Sequence, residues 1–157
     1  MLTHFEISFI SPCAVYVAES FRCGGLAAVL GVINTIHPTM LKIEPYDVAW
    51  PEMFEAEAVL LRAALGASAV RIEHVGSTAV TGLAAKPVID IQVSVPSLDQ
   101  LAQYVEALDG LRYTHVSLGA FDQVYPFFAK PAVWPSTHHV HLCVVGGEQE
   151  AKHLAFR

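Results

Sequence analysis

EHVGSTAVTGLAAKPVIDIQVSV, residues 73–95, joins two apolar runs through a Gly-Ser turn and a Lys-Pro pair. SAVRIEHV before the turn and VIDIQVSV after it are rich in β-branched residues, which favour strands. Pro87 drives the residue before it away from helix, so the loop should end near Lys86. Side chains alternate along a strand, placing Asp90, Gln92 and Ser94 on one face and Ile89, Ile91 and Val93 on the other. A carboxylate in so apolar a run is costly unless paired, hydrogen-bonded or bound to metal. The polar face is therefore read as a cleft wall; the alternative is an acid capping a turn or pairing with Lys86 or Arg71.

Working outward, the apolar spacing of Phe54, Ala58, Leu61 and Leu65 predicts a helix, with Pro51 in its first turn and Gly66 at its end. Ser97 and Gln100 have the spacing of a capping box for a second helix that Gly110 closes. RYTHV, VYPFFAK and HHVHLCVV read as strands. GGEQEAKHLAFR reads as a helix start, with Glu148 and Glu150 where the helix dipole favours acids. The chain stops about two turns into this helix with Leu154 and Phe156 still apolar, so a truncated C-terminus is expected. Helix, strand, loop, strand, helix and then several strands predict an α+β fold, a mixed sheet with helices packed on it.

The 157 residues suffice for one ordinary domain, and nine Lys plus Arg against fifteen Asp plus Glu give a formal charge of -6. With no cluster of basic residues, a long nucleic acid is not an expected partner. Mean hydropathy is +0.45, raised in part by the first forty residues. Their apolar runs are interrupted by Glu19 and Arg22 and are shorter than the ~20 residues that span a bilayer, and no positive charges precede them as in a secretory signal. No membrane partner is expected. Cys13, Cys23 and Cys143 are odd in number and lack metal-like pair spacing, which suits a reducing interior and a cytoplasmic location.

Three groups of residues could carry chemistry. Gly76 and Ser77 follow a strand, where backbone N–H groups and a hydroxyl can face a phosphate; the plain alternative is a turn. Lys86 would neutralise part of a polyphosphate or lie in solvent. His139 and His141, two apart on a strand, place both imidazoles on one face, and with Asp90 they resemble a two-His, one-acid metal site; the plain alternative is satisfied polar side chains. Cys143 shares that face as a further ligand or a small core residue. His74 is placed to hydrogen-bond the Gly-Ser loop, and Tyr46, Trp50 and Trp134 are read as packing or rim aromatics.

HVGSTAVTGLAAKPVIDIQVSV, with EPYDVAWPEMFEAEA before it and STHHVHLCVVGGEQEAKHLAFR after it, resembles the GrpB family over residues 43–157. The resemblance implies a fold like that of the polymerase-beta-like nucleotidyltransferases, to which the family is related; the family also occurs fused to some dephospho-CoA kinases. It implies an N-terminal extension over residues 1–39, with Met40 where a start is expected, and a family domain over 40–157. Gly76 and Ser77 match the superfamily's Gly-Ser turn, and Asp90 matches an acid of its Asp-x-Asp or Asp-x-Glu strand motif. Gln92 stands at the second acid position and Thr81 where the family usually has proline.

The implied site uses Asp90 and Ser77 as catalytic residues and Gly76, Ser77, Thr78 and Lys86 against phosphate. Asp90, with His139 and His141 added on their strand spacing rather than on the resemblance, is expected to hold a divalent metal ion, Mg or Mn rather than Zn. The implied function is metal-dependent binding of a nucleotide or another phosphorylated small molecule, or nucleotidyl transfer. Its rivals are a non-catalytic nucleotide-binding or accessory module and a metal-dependent hydrolase using the His-x-His strand. Two-metal transfer needs several carboxylates, so Gln92 weighs against it.

Overall fold

The structure, a computed structural model, describes residues 42–155 apart from Trp134. The N-terminal extension, Met40, Cys13, Cys23, the rim role of Trp134 and the apolar end at Phe156 lie outside the described residues.

Strands β1 (Arg71–Val75), β2 (Ile89–Val95), β3 (Thr114–Val116), β4 (Phe127–Lys130) and β5 (His138–Val144) form one sheet in the order β1-β2-β5-β4-β3. β2 and β5 are parallel and the other neighbours antiparallel, so the sheet is mixed. Parallel neighbours need a crossover connection, and the segment between β2 and β5 supplies it with helix α2 (Leu101–Asp109), β3 and β4. Helices α1 (Trp50–Leu65) and α3 (Glu148–Leu154) lie at either end of the described chain, and the α+β expectation holds.

Helix α1 begins where Asp47 Oδ1 accepts the N–H of Ala49 at 2.8 Å and Pro51 takes the first turn. It ends at Gly66, whose φ of 55° suits a residue without Cβ. Trp50, Leu61 and Leu65 are buried, with Phe54 and Ala58 packed against them, as the spacing predicted. This face meets Ile89, Ile91, Val93 and Val95 of β2, Phe128 of β4, and Val140 and Leu142 of β5, and α2 adds Tyr104 and Leu108. Each fully buried Val, Leu, Ile or Phe contributes about 1.5–3 kcal/mol, so this layer dominates stability. Glu57 is buried on the same side and accepts a hydrogen bond from Lys130 Nζ at 2.8 Å, a charge pair that the helical spacing gave no reason to expect.

The second helix differs from its sequence reading. Ser97 Oγ accepts the N–H of Asp99 at 3.0 Å and so closes a turn, and α2 starts at Leu101 without a side-chain cap. Tyr104 donates to the Ser97 carbonyl at 3.1 Å, fixing that turn above the helix. The box pattern was satisfied locally, and Gln100 stands one residue before the helix rather than inside it.

The opposite face of the sheet carries the even positions of β2 and the odd positions of β5, as alternation requires, and α3 packs against β1, β2 and β5. Glu150 anchors it. Its Oε1 accepts from Ser94 Oγ at 2.6 Å and lies 3.3 Å from an Arg71 guanidinium nitrogen, while Oε2 accepts the Gly146 N–H at 2.6 Å. Glu150 is therefore a buried clamp, more than a dipole-favoured acid at a helix start. Among the described residues no helix is long and apolar enough to cross a membrane.

Candidate functional site

Asp90 is the second residue of β2, and the β2–β5 register places it directly beside His139. His139 Nδ1 lies 3.1 Å from Asp90 Oδ1, and His141 Nε2 lies 3.6 Å from the same oxygen. The three groups that strand alternation grouped are thus brought onto one atom. His139 and His141 are 8% and 3% exposed in their side chains and Asp90 22%, so the cluster is mostly sealed with the carboxylate at its accessible edge. Burial alone would raise the Asp90 pKa, but the hydrogen bond from His139, helped by the nearby His141 imidazole, outweighs it and holds the carboxyl well below the usual carboxylate range. Among the described residues the ion pairs at Asp90 are with the two histidines, and Arg71 pairs with Glu150.

The Gly-Ser turn lies against the same carboxylate. Gly76 has φ 75° and ψ -170°, a conformation nearly confined to glycine, and a Cβ there would stand 2.9 Å from Asp90 Oδ2. Ser77 is exposed on the turn. Thr78 is buried: its hydroxyl donates to the Val88 carbonyl at 3.0 Å and meets His74 Nε2 at 3.1 Å. Since that hydroxyl proton goes to Val88, His74 donates to Thr78, and the two tie the turn to both β1 and β2. The expected bond from His74 to the loop is present. Thr78, grouped with the phosphate-facing residues in the sequence, instead spends its hydroxyl inside the fold. Lys86 is half-buried where the loop returns to β2.

Gln92 and Ser94 do not form a cleft wall. Both are fully buried beneath α3, with Gln92 Nε2 donating to Ser94 Oγ at 3.4 Å and Ser94 donating to Glu150. The polar face predicted for β2 is real, but the helix covers all of it except Asp90. Cys143 belongs to this covered part, 3.7 Å from Ser94 Oγ, and is a small buried residue.

Two site residues had no signal in the sequence. Tyr125 stacks on His141 with ring centroids 5.0 Å apart, and its hydroxyl is 2.8 Å from His153 Nδ1 on α3. His153 also lies 5.5 Å from the His141 ring, centroid to centroid, and its imidazole is pushed below its ordinary pKa by burial against the pull of Asp90. Phe127 closes the lower side, 4.9 Å from His139 and 5.1 Å from His141 between centroids. Among the described residues no three His, Cys, Asp or Glu side chains are arranged to enclose a metal ion. His139 is hydrogen-bonded to Asp90 with His141 alongside, and the three do not form a cage.

The family pattern described as GrpB protein matches residues 40–157, which include every residue of this site. The chain belongs to the GrpB family. This GrpB chain is 41% identical over 120 residues to a UPF0157 protein of Pseudomonas aeruginosa, covering 74% of this chain and 48% of that one. The crystal structure of the conserved protein GrpB from Enterococcus faecalis superposes with a TM-score of 0.65 at 34% identity, covering 73% of this chain and 68% of that one. A dephospho-CoA kinase of Mycobacterium bovis is 43% identical over 70 residues, 43% of this chain and 17% of the kinase. The chain spans half or less of the length of the first UPF0157 relatives, at 48%, 40% and 43%.

Proposed function

We propose that this GrpB chain binds a phosphorylated small molecule of the nucleotide class where the Gly76-Ser77 turn meets Asp90, His139 and His141, with one divalent ion between carboxylate and phosphate. The observation that carries this reading is the convergence of two imidazoles on an ionised carboxylate that itself touches a glycine turn. Binding would have to release the His139–Asp90 hydrogen bond; one carboxylate oxygen and two imidazole nitrogens would then suit Mn better than Mg, which prefers an oxygen shell. A set this small leaves coordination positions for phosphate oxygens. When bound, the ion would supply Lewis-acid polarisation of the phosphate. Ser77 and the adjacent backbone N–H groups would hold the non-bridging oxygens, Lys86 would offset remaining charge, and Phe127 and Tyr125 would hold the histidine rings in place.

Binding without nucleotidyl transfer is the form of this reading that Gln92 favours. The second acid position of the superfamily is here a neutral amide sealed beneath α3, out of reach of a second ion. Calorimetric titration of ATP into the 157-residue chain, with Mn(II) and with EDTA, tests the proposal. Mn-dependent binding that Asp90→Ala removes supports it. Binding that ignores EDTA favours a metal-free accessory module, release of phosphate favours a hydrolase, and transfer of the nucleotidyl group to an acceptor restores the enzyme reading.

A further inference from the structure

Two buried polar atoms on neighbouring strands lack a hydrogen-bond partner among the described residues, Gln92 Oε1 and His141 Nδ1. They belong to register partners: β2 and β5 run parallel with Gln92 opposite His141, and the two side chains lie on the same face of the sheet. Gln92 is fully buried and the His141 side chain is 3% exposed.

The orientation of the amide is set from its other end. Glu150 is an acceptor, so Ser94 donates its hydroxyl proton to Glu150 Oε1 at 2.6 Å, and the Ser94 oxygen is left to accept. Of the two ends of the Gln92 amide only Nε2 can donate to it, at 3.4 Å, alongside the weaker Cys143 thiol at 3.7 Å. The carbonyl oxygen is thereby turned away from Ser94, and as a pure acceptor it requires a donor. Of the two orphaned atoms, His141 Nδ1 is the one that can carry a proton. On its other side, His141 Nε2 stands 3.6 Å from Asp90 Oδ1, outside hydrogen-bond range, whereas His139 Nδ1 makes that bond at 3.1 Å.

We propose that Gln92 is a positioning residue for His141. Its Oε1 takes the Nδ1 proton through one buried water, and so holds the ring with Nδ1 protonated and Nε2 as the nitrogen that faces the site. A hydrogen bond on the far nitrogen is what fixes which imidazole nitrogen is free to ligate. The polar chain runs from Arg71 through Glu150, Ser94 and Gln92 to His141, linking the α3 clamp to the site. The consequence for metal binding rests on the proposed function; the tautomer does not.

Long-range 15N–1H NMR of the imidazoles in the metal-free 157-residue chain at neutral pH reads the tautomer directly. His141 is expected as Nδ1–H in the parent chain and in Gln92→Glu, which keeps an acceptor oxygen, and as Nε2–H or a mixture in Gln92→Leu. A parent spectrum showing Nε2–H overturns the inference, as does an unchanged Nδ1–H tautomer in Gln92→Leu. Should Gln92→Leu not fold, the parent and Gln92→Glu spectra decide: Nε2–H in either one overturns it. Mn(II) affinity is expected to fall about tenfold or more in Gln92→Leu. If the parent chain binds no Mn(II) while His141 is Nδ1–H, the proposed function fails and the role of Gln92 stands.

Discussion

His139 and Asp90 are register partners on adjacent parallel strands, and their facing atoms lie 3.1 Å apart with a second imidazole on the same oxygen. The carboxyl pKa is depressed below its ordinary 3.8, so the stabilisation it brings is present above pH 3.8 and is lost as pH falls through the lower folded value. Asp90→Ala should therefore cost about 1–3 kcal/mol at neutral pH in EDTA. Urea unfolding at pH 7 and pH 3 measures this. The gap between parent and variant should shrink at the lower pH, and an equal gap at both contradicts an ionised, histidine-paired Asp90.

Gly76 is held against Asp90 in a conformation that other residues avoid. Gly76→Ala adds a methyl 2.9 Å from Asp90 Oδ2 and strains a backbone at φ 75°, which together should cost about 1–3 kcal/mol or more. Gly82 is the control, because its φ is 82° but a Cβ there meets nothing within 4 Å, and Gly82→Ala should cost about 1–2 kcal/mol. Thermal melts of both variants give the comparison. Equal losses would mean that contact with Asp90 contributes nothing.

Glu150 ties α3 to the sheet through Ser94, the Gly146 N–H and Arg71. Glu150→Ala leaves the buried Ser94 hydroxyl and the Gly146 N–H without their acceptor and should destabilise by about 1–3 kcal/mol. Hydrogen exchange should show faster opening of α3 and of the Gly146 amide, with the α1 side of β2 protected. Uniform loosening of the molecule would instead mean that Glu150 supports the whole core.

Stability should also fall with mild acid. Burial pushes the His74 imidazole below its ordinary 6.5, against the pull of Asp90, so its neutral form is favoured in the fold. With a depressed folded pKa, that contribution is complete above pH 6.5 and is lost as pH falls through the folded value. The urea midpoint should drop between pH 7.5 and pH 5.5, and the drop should be smaller in His74→Gln. A further drop should appear below pH 4.5, where Glu150, held low by Ser94, takes up its proton. A flat profile between pH 7.5 and 5.5 in the parent chain contradicts the burial of neutral His74.

Much of this architecture was legible because periodicity reports burial. Leu61 and Leu65 on α1, the alternation along β2 and the His139–His141 pair on β5 all fall where spacing placed them. Helix α3 was legible as a helix but not as a lid, since nothing in GGEQEAKHLAFR says which sheet face it covers. For that reason Gln92 and Ser94 read as a cleft wall while they are buried beneath it. Tyr125 and His153 escaped for the same reason: they are 28 residues apart and meet only after α3 has docked. The false capping box at Ser97 shows the reverse case, a local motif whose acceptor oxygen was claimed by a nearer backbone N–H.

Pulsed EPR of Mn(II) and ATP bound to the 157-residue chain tests the central claim most directly, because it reports the nuclei around the ion. The account predicts couplings to imidazole 14N and to 31P in the same complex, with the 14N coupling reduced in His139→Ala and His141→Ala and the bound signal lost in Asp90→Ala. A 31P coupling without any 14N coupling, or bound Mn(II) that survives Asp90→Ala, would contradict it.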